Sequence, residues 1–453
     1  MCITGDFELK RGRLSARLSK ARKNALRRKT DRQINSGSNW WLICTYLCVI
    51  HKIFIAVVVF LAGCSWLNGP SQTEINELKV QLEHGKAGDI VREIYQDREF
   101  RPLWIARGKT TARLEQFFQL ADDASYGVHT NVDYLRTPPS DLIRYDIDVT
   151  SALVKHATAL ARKDADLKNA LEEAIESNSI PQLGDRLAPK YVEYDRLRNA
   201  LRTASGDIVK TIELNMDRWR KLPDDLGERH IRVNIPSFEL EVHDGQQIPI
   251  RMRVVVGSNE NRTPLFSSAM KYVVFSPYWN IPESIMTKET LPRILKDPDY
   301  ATRENLEVVK VSGKHVEVID PQDIDWESVG ESDIQLRQKP GDGNSLGLVK
   351  FIFPNSYNVY LHDTPADNLF AKLTRDFSHG CIRVEKPQEL AEYVLRDQPE
   401  WTPERIQRAM HAGAEKHVVL KEPIPVHILY FTAWVDDAGM LHLDKDIYGY
   451  DQH

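Results

Sequence analysis

Near residue 206 the hydrophobic pattern of this 453-residue chain changes from a helical period to a strand-like alternation. That change limits the fold to a helical unit followed by a β-rich one. Ile75, Leu78 and Leu82 fall on one helical stripe, and Ile90, Val91 and Ile94 on another. Residues 151–178, rich in Ala and Leu with interspersed Lys and Glu, predict an amphipathic helix, and 194–201 repeat the pattern. Beyond 206, a helix over 212–219 precedes alternating runs at 231–235 and 238–242. The turn signal Asp244-Gly245 and a β-branched run at 248–256 follow. Further strands are predicted at 272–275, 306–310, 316–319, 348–353, 359–361, 418–420 and 426–431. Residues 281–345, dense in Pro, Lys and Asp, read as an insertion beside the sheet. The predicted class is α+β. A helical scaffold domain spans 64–205, a β-rich domain 206–386, and a helix and strands over 387–453 complete that β-rich domain.

The charge is unevenly placed. Residues 1–63 hold 12 Lys/Arg against three acids (Asp6, Glu8, Asp31), so the remainder is acidic, which argues against nucleic acid as the main partner. Residues 40–62 are almost continuously apolar, interrupted mainly by His51-Lys52. One reading is a membrane-spanning helix with the basic segment kept inside. The second makes Lys52 a short n-region, 53–60 an apolar h-region, and Leu61-Ala62-Gly63-Cys64 the cleavage site. That tetrapeptide resembles a bacterial lipobox, which implies diacylated Cys64 as a new N-terminus. Ser65 behind it implies sorting to the outer membrane. Translation is then expected to start near Val49–Lys52. Arg27-Arg28 has no apolar run directly behind it and does not read as a twin-arginine signal. Both readings put the body outside the cytoplasmic membrane.

Of five cysteines, Cys2, Cys44, Cys48 and Cys64 lie in the leader, and only Cys381 lies in the body, so no disulfide framework is possible there. Cys381 sits in Ser378-His379-Gly380-Cys381-Ile382-Arg383-Val384, and His362 precedes it by nineteen residues in Tyr360-Leu361-His362-Asp363. A thiol needs an adjacent imidazole or a positive field to ionise at neutral pH. Strand alternation sends Leu361, Ile382 and Val384 to one face and Tyr360, His362, Cys381 and Arg383 to the other. Gly380 permits tight backbone geometry, and N–H groups at Gly380–Cys381 are candidates for an oxyanion hole. The alternative is a buried inert thiol beside an unrelated imidazole. With one body cysteine, no His-Glu-x-x-His string and no phosphate loop, neither a metal nor another cofactor is expected.

His362-Asp363 followed by Ser378-His379-Gly380-Cys381-Ile382-Arg383 resembles the signature of the YkuD-type L,D-transpeptidases. The likeness to the long, YcbB-like branch extends to Ile212-Glu213-Leu214-Asn215-Met216-Asp217-Arg218-Trp219-Arg220, Val233-Asn234-Ile235-Pro236, Arg337-Gln338-Lys339-Pro340-Gly341, Phe353-Pro354-Asn355 and Tyr430-Phe431-Thr432-Ala433-Trp434-Val435. Arg101-Pro102-Leu103-Trp104 and the helices to about 205 resemble that branch's scaffold domain. Many long members carry a peptidoglycan-binding module before the Ile-Glu-Leu-Asn segment. Here about ten residues stand in its place, which implies that the module is absent.

The resemblance implies peptidoglycan biosynthesis and a role in cell-wall biogenesis and cell shape. Cys381 would attack the third residue's carbonyl of a tetrapeptide stem, D-Ala would leave, and an amine of another stem would take the acyl group in a 3→3 cross-link. His362 would be the general base and acid. His379 is a weaker alternative for that role. Either Asp363 or a backbone carbonyl would orient His362. Arg383 would hold a substrate carboxylate or form a structural ion pair. Ser378, His379 and Gly380 would shape the site, and Tyr360 would form a wall. Trp279 and 281–336 read as a lid or as a surface insertion. Carbapenems are the expected inhibitors. The protein is expected at the periplasmic face, held to a membrane by the Cys64 lipid or an N-terminal helix. Other outcomes are an L,D-carboxypeptidase, a hydrolase releasing wall-bound protein, and an inactive cell-wall scaffold lipoprotein.

Overall fold

The computed structural model describes residues 69–452 apart from 298, 313–314, 321–322, 325 and 327–333. The leader, its predicted signal or membrane segment, and Cys64 lie outside the described residues. Among those described, no helix is long and apolar enough to cross a membrane.

The N-terminal unit packs seven main helices: α1 (Gln72–His84), α2 (Asp89–Asp97), α3 (Arg113–Ala121), α4 (Leu142–Leu160), α5 (Leu167–Glu176), α6 (Val192–Leu201) and α7 (Asp207–Arg220). Ser71 and Glu74 close a capping box on α1. The single helix predicted over 151–178 is two. After Leu160 the backbone N–H of Arg162 turns to Leu187 O (2.9 Å) and that of Lys163 to Arg220 O (2.7 Å). Bonds to neighbouring segments thus replace the helical ladder. Asp166 then caps α5 through Asn169 N at 3.1 Å.

A buried carboxylate ties this unit together. Asp146 lies inside α4 with no solvent exposure. It accepts from the backbone N–H groups of Leu103 (3.0 Å), Trp104 (2.7 Å) and Ile105 (3.0 Å) and from the Tyr95 hydroxyl (2.5 Å). Trp104 Nε1 donates to Thr150 Oγ1 one turn on, at 2.8 Å. The Arg101–Trp104 segment is therefore a loop whose orphan N–H groups are satisfied by one helix. Burial pushes the Asp146 carboxyl up to about 6, against these four donors.

The predicted boundary at 205/206 needs correction. The buried face of α7 (Ile212, Met216, Trp219) joins the helical core, as do Leu429, Phe431, Ala433 and Val435 from the C-terminal region. Trp219 stacks on Phe431 with ring centroids 4.5 Å apart. The hairpin β14 (Ala433–Val435) and β15 (Leu441–Leu443) thus packs on the scaffold, and only part of 387–453 completes the β domain. Residues 202–206 alone connect α6 to α7, which leaves no room for a folded module between them.

The β domain is a barrel. Its strands are β1 (Arg229–Asn234), β2 (Glu239–Asp244), β3 (Gln247–Gly257), β4 (Phe266–Phe275), β9 (Val349–Ile352), β10 (Leu361–His362), β12 (Ile382–Val384) and β13 (Lys416–Leu429). The hydrogen-bonded order is β3-β12-β10-β9-β4-β13-β1-β2, and β2 pairs back onto β3 to close the ring. The short β11 (Asp376–Ser378) runs parallel to the end of β3. Alternating residues such as Ile231, Val233, Leu240, Val242, Phe351, Leu361, Ile382 and Val384 fill the interior. Helices α8 (Pro387–Val394) and α9 (Pro403–Met410) add Leu390, Val394 and Ile406 to that core.

The predicted insertion has its own core. Strands β5 (Trp279–Asn280), β6 (Leu306–Ser312), β7 (His315–Ile319) and β8 (Ile334–Gln338) pair in the order β5-β8-β6-β7. They bury Ile281, Ile294, Leu306, Val308 and Leu336 with helical segments Glu283–Ile285, Met286–Thr290 (a π turn) and Leu291–Lys296.

Replacing Asp146 by Asn would turn an amide NH2 toward donors that now share a carboxylate. Urea unfolding should show Asp146→Asn destabilised by about 2–4 kcal/mol. A loss under about 0.5 kcal/mol would show that the loop finds other acceptors.

Candidate active site

The site is assembled by one short parallel pairing. β10 and β12 align Leu361 with Ile382 and His362 with Arg383, and Ile382 N donates to Tyr360 O at 3.1 Å. Leu361, Ile382 and Val384 are fully buried in the barrel. Tyr360, His362, Cys381 and Arg383 therefore share the opposite face, as alternation predicts. Asn355 folds the approach to β10. Its amide donates to Phe353 O (2.7 Å) and Val359 O (2.8 Å), and its carbonyl oxygen accepts from Tyr357 N and Val359 N.

His362 is buried, and its Nδ1 lies 2.5 Å from the backbone carbonyl of Asp363. A carbonyl only accepts, so in the neutral ring Nδ1 carries the hydrogen and Nε2 keeps the lone pair. This decides between the two orienting groups left open by the sequence. The Asp363 carboxylate turns the other way, to Leu348 N and Thr364 N at 2.7 Å each. Gly347 packs against it at φ +59°, where an added Cβ would lie 2.3 Å from Asp363 Cγ.

His362 is two residues beyond the position facing Cys381, a diagonal across which an aromatic ring can reach. The side chain directly against the sulfur is Tyr360. Both its hydroxyl and its backbone N–H act as donors to Sγ, and Asn358 O lies 3.8 Å from Sγ on another side. The sequence assigned Tyr360 to a wall; its contact with the sulfur depends on a register that no local pattern reveals. The rings of Tyr360 and His362 meet edge-to-face at 5.7 Å.

The resting electrostatics differ from a preformed ion pair. Burial pushes the Cys381 thiol up, opposed by the two Tyr360 donors and by the charge of Arg383. Burial, then Arg383, lowers His362 to about 3, opposed by the Asp363 carbonyl. Burial thus disfavours the charged form of both groups in the resting site. Arg383 acts on both groups, its Nε is buried without an acceptor, and no carboxylate pairs with it among the described residues. Among the described residues, the structural ion pair considered for it is not formed.

The loop before the sulfur is stapled from within. Ser378 is buried; its Oγ donates to Cys381 O (2.5 Å) and accepts from Gly380 N (3.1 Å). The Gly380 N–H expected in an oxyanion hole is thus already bonded. The Cys381 N–H has no intramolecular acceptor among the described residues. Gly380 sits at φ +110°, which favours glycine. From below, Thr263 Oγ1 donates to Gly380 O (2.9 Å) and accepts from Gly257 N (2.9 Å). Tyr448 donates to Gly257 O (2.7 Å) and accepts from Thr263 N (3.1 Å). Thr263 and Tyr448 are positioning residues that sequence reasoning missed; neither lies near the motif in the chain.

His379 points to the insertion, with Nε2 2.6 Å from Glu289 Oε1. Lys350, on β9 opposite His362, donates to Tyr278 O at 3.3 Å. Among the described residues no group of three or more His, Cys, Asp or Glu side chains could hold a metal ion.

Two family models match the chain: the L,D-transpeptidase catalytic domain (YkuD) over residues 228–417 and the Scaffold domain over 89–201. A Haemophilus influenzae protein provisionally named an L,D-transpeptidase is 28% identical over 413 residues, covering 85% of this chain and 82% of its own length. Among solved structures, an L,D-transpeptidase from Mycobacterium smegmatis aligns with 44% of this chain and 58% of its own, at 13% identity and a TM-score of 0.22. The Ldtfm-avibactam carbamoyl enzyme aligns with 45% of this chain and 49% of its own, at 10% identity and a TM-score of 0.18. Scores this low carry no argument, and the aligned parts span less than two thirds of both solved chains.

A raised thiol makes alkylation of Cys381 slow at neutral pH and faster as pH rises. The rate of iodoacetamide labelling should inflect above the ordinary cysteine value of about 8.5. In Arg383→Gln, which removes a charge favouring the thiolate, it should inflect higher still. An inflection below about 7.5 would show a preformed thiolate instead.

Proposed function

The chain belongs to the L,D-transpeptidases of the YkuD type, with a Scaffold domain ahead of the catalytic one, and from that premise we propose that Cys381 forms an acyl-enzyme on peptidoglycan tetrapeptide stems and passes it to an amine, giving 3→3 cross-links. The observation that carries this reading is the shared face of Tyr360, His362, Cys381 and Arg383 set by the β10–β12 pairing.

The residues divide the chemistry as follows. A stem enters with its carboxylate on Arg383, whose guanidinium has no acid of its own. Sγ loses its proton to His362 Nε2 as it attacks the carbonyl, so charge separation coincides with bond formation rather than preceding it. The Cys381 N–H faces the developing oxyanion, with the Tyr360 hydroxyl, freed from the sulfur, as a second donor. The imidazolium returns its proton to the leaving D-Ala nitrogen, leaving a thioester. A carboxypeptidase or wall-protein-releasing hydrolase would use the same first half and hand the acyl group to water.

Intact-mass measurement after incubation with a carbapenem should show one covalent adduct on the wild type and none on Cys381→Ala. His362→Ala should slow acylation by about 10²–10⁴-fold. A folded wild-type protein without an adduct would favour an inactive scaffold. Loss of acylation in His379→Ala but not in His362→Ala would reverse the assignment of the base. Muropeptides made by the wild type should include 3→3 dimers; tripeptides alone would point to hydrolysis.

We also propose that Cys64 carries the lipid of an outer-membrane lipoprotein and that the enzyme works at the periplasmic face. Support comes from the Leu61–Cys64 sequence. Metabolic labelling with a fatty acid should mark the wild-type protein and not Cys64→Ala; equal labelling of both would leave a membrane-spanning segment as the anchor.

A further inference from the structure

Among the described residues, the inserted lobe meets the nucleophile loop through a short polar contact. Glu289 stands on the π turn Met286–Thr290, and its Oε1 lies 2.6 Å from Nε2 of His379. π turns inside helices recur at functional sites. Oε2 of Glu289 faces Arg293 Nη2 at 3.6 Å, and Arg293 Nη1 donates to the Tyr300 hydroxyl at 3.2 Å. The Glu289 and His379 side chains keep 36% and 42% of their exposure, so an incoming molecule can reach both. His362 keeps 5% and has its Nδ1 committed to Asp363 O. Two imidazoles thus precede Cys381 in the motif, a buried one at His362 and a partly exposed one at His379 held by a carboxylate.

The charges beside the two imidazoles also differ. Arg383 and Lys350 act on His362, and Arg383 would hold a donor stem's carboxylate. Glu289, shared with Arg293, places a carboxylate against His379. An amine acceptor arrives as an ammonium, since a primary amine titrates near 10.4, and it cannot attack until it loses a proton. A carboxylate accepts only, so in the neutral His379 ring Nε2 carries the hydrogen bonded to Glu289 and Nδ1 keeps a lone pair. A carboxylate offers about four acceptor positions, so Glu289 can take an ammonium while still holding His379.

We propose that Glu289 and His379 form the acceptor subsite: Glu289 binds the ammonium of the incoming stem, and His379 takes the proton that must leave before the nitrogen attacks the Cys381 thioester. The proposal rests on the transpeptidase reading above. One N–H proton passes to His379 Nδ1. The nitrogen bonds to the acyl carbon as the C–Sγ bond breaks, a second proton passes from nitrogen to the departing sulfur, and His379 releases its proton to water. The products are a secondary amide and a free thiol. The inserted lobe thereby sets the choice between amine and water.

The test separates the two halves of the reaction in the full chain, with a tetrapeptide donor and a stem carrying a free side-chain amine as acceptor. Glu289→Gln should raise the acceptor KM by about tenfold, the loss expected for one charge-assisted contact, and shift product from cross-linked dimer toward hydrolysed tripeptide. Carbapenem acylation, which uses no acceptor, should change by no more than about twofold. Glu289→Asp should restore part of the acceptor affinity. His379→Gln should lower transfer turnover by about a hundredfold while acylation persists. An unchanged acceptor KM and product ratio in Glu289→Gln, with acylation intact, overturns the proposal. So does an equal loss of acylation and transfer in the Gln and Asp variants, which would mark Glu289 as a brace for the loop. A wild type that forms no adduct overturns the transpeptidase reading and this subsite with it.

Discussion

The two-residue parallel pairing of β10 with β12 is the constraint on which the rest of the site depends. It is held in register by the full burial of Leu361, Ile382 and Val384. A slip of one residue would turn these apolar side chains to solvent and drive His362 and Arg383 into the barrel core. The reacting groups are therefore placed by the hydrophobic effect acting on their neighbours. Polar contacts then refine the placement. Ser378 staples the loop from within, Thr263 and Tyr448 support it from below, and the Asp363 carbonyl holds the His362 ring.

Burial also sets the chemical state of the resting site. Burial raises the thiol and lowers the imidazole, so it disfavours the charged form of each. A protonated thiol resists oxidation, because oxidation proceeds through the thiolate. In the proposed reaction the developing oxyanion and bound carboxylate of the substrate would supply the field that favours proton transfer from Sγ to Nε2. Arg383 stands on the barrel wall and Glu289 on the inserted lobe, where it meets His379.

The helical unit is joined to this machinery by more than a linker. Its core takes in α7 and the C-terminal hairpin, with Trp219 stacked on Phe431 and Asn215 bonded through its side chain to Thr432. The same chain then returns to the barrel, where Tyr448 bonds Gly257 and Thr263, and Thr263 in turn holds Gly380 of the nucleophile loop. A disturbance of the scaffold core thus has a covalent and packed route to the loop that carries Cys381.

Residue patterns carried much of this. The change of period near 206 separated helical from β-rich sequence, and alternation through 359–362 and 381–384 assigned both faces correctly, since each follows from local sterics and burial. The helix predicted over 151–178 failed because Arg162 and Lys163 give their backbone bonds to distant segments. What the sequence determined by itself was which side chains share a face, because alternation along a strand is a property of consecutive residues. What only the tertiary structure decided was which strands lie side by side and in what register. That pairing set Tyr360 on the sulfur, gave His362 a carbonyl rather than a carboxylate, and brought Glu289 to His379 across ninety residues of chain. Such contacts arise from the packing of whole elements, and their energy is not written in any one segment.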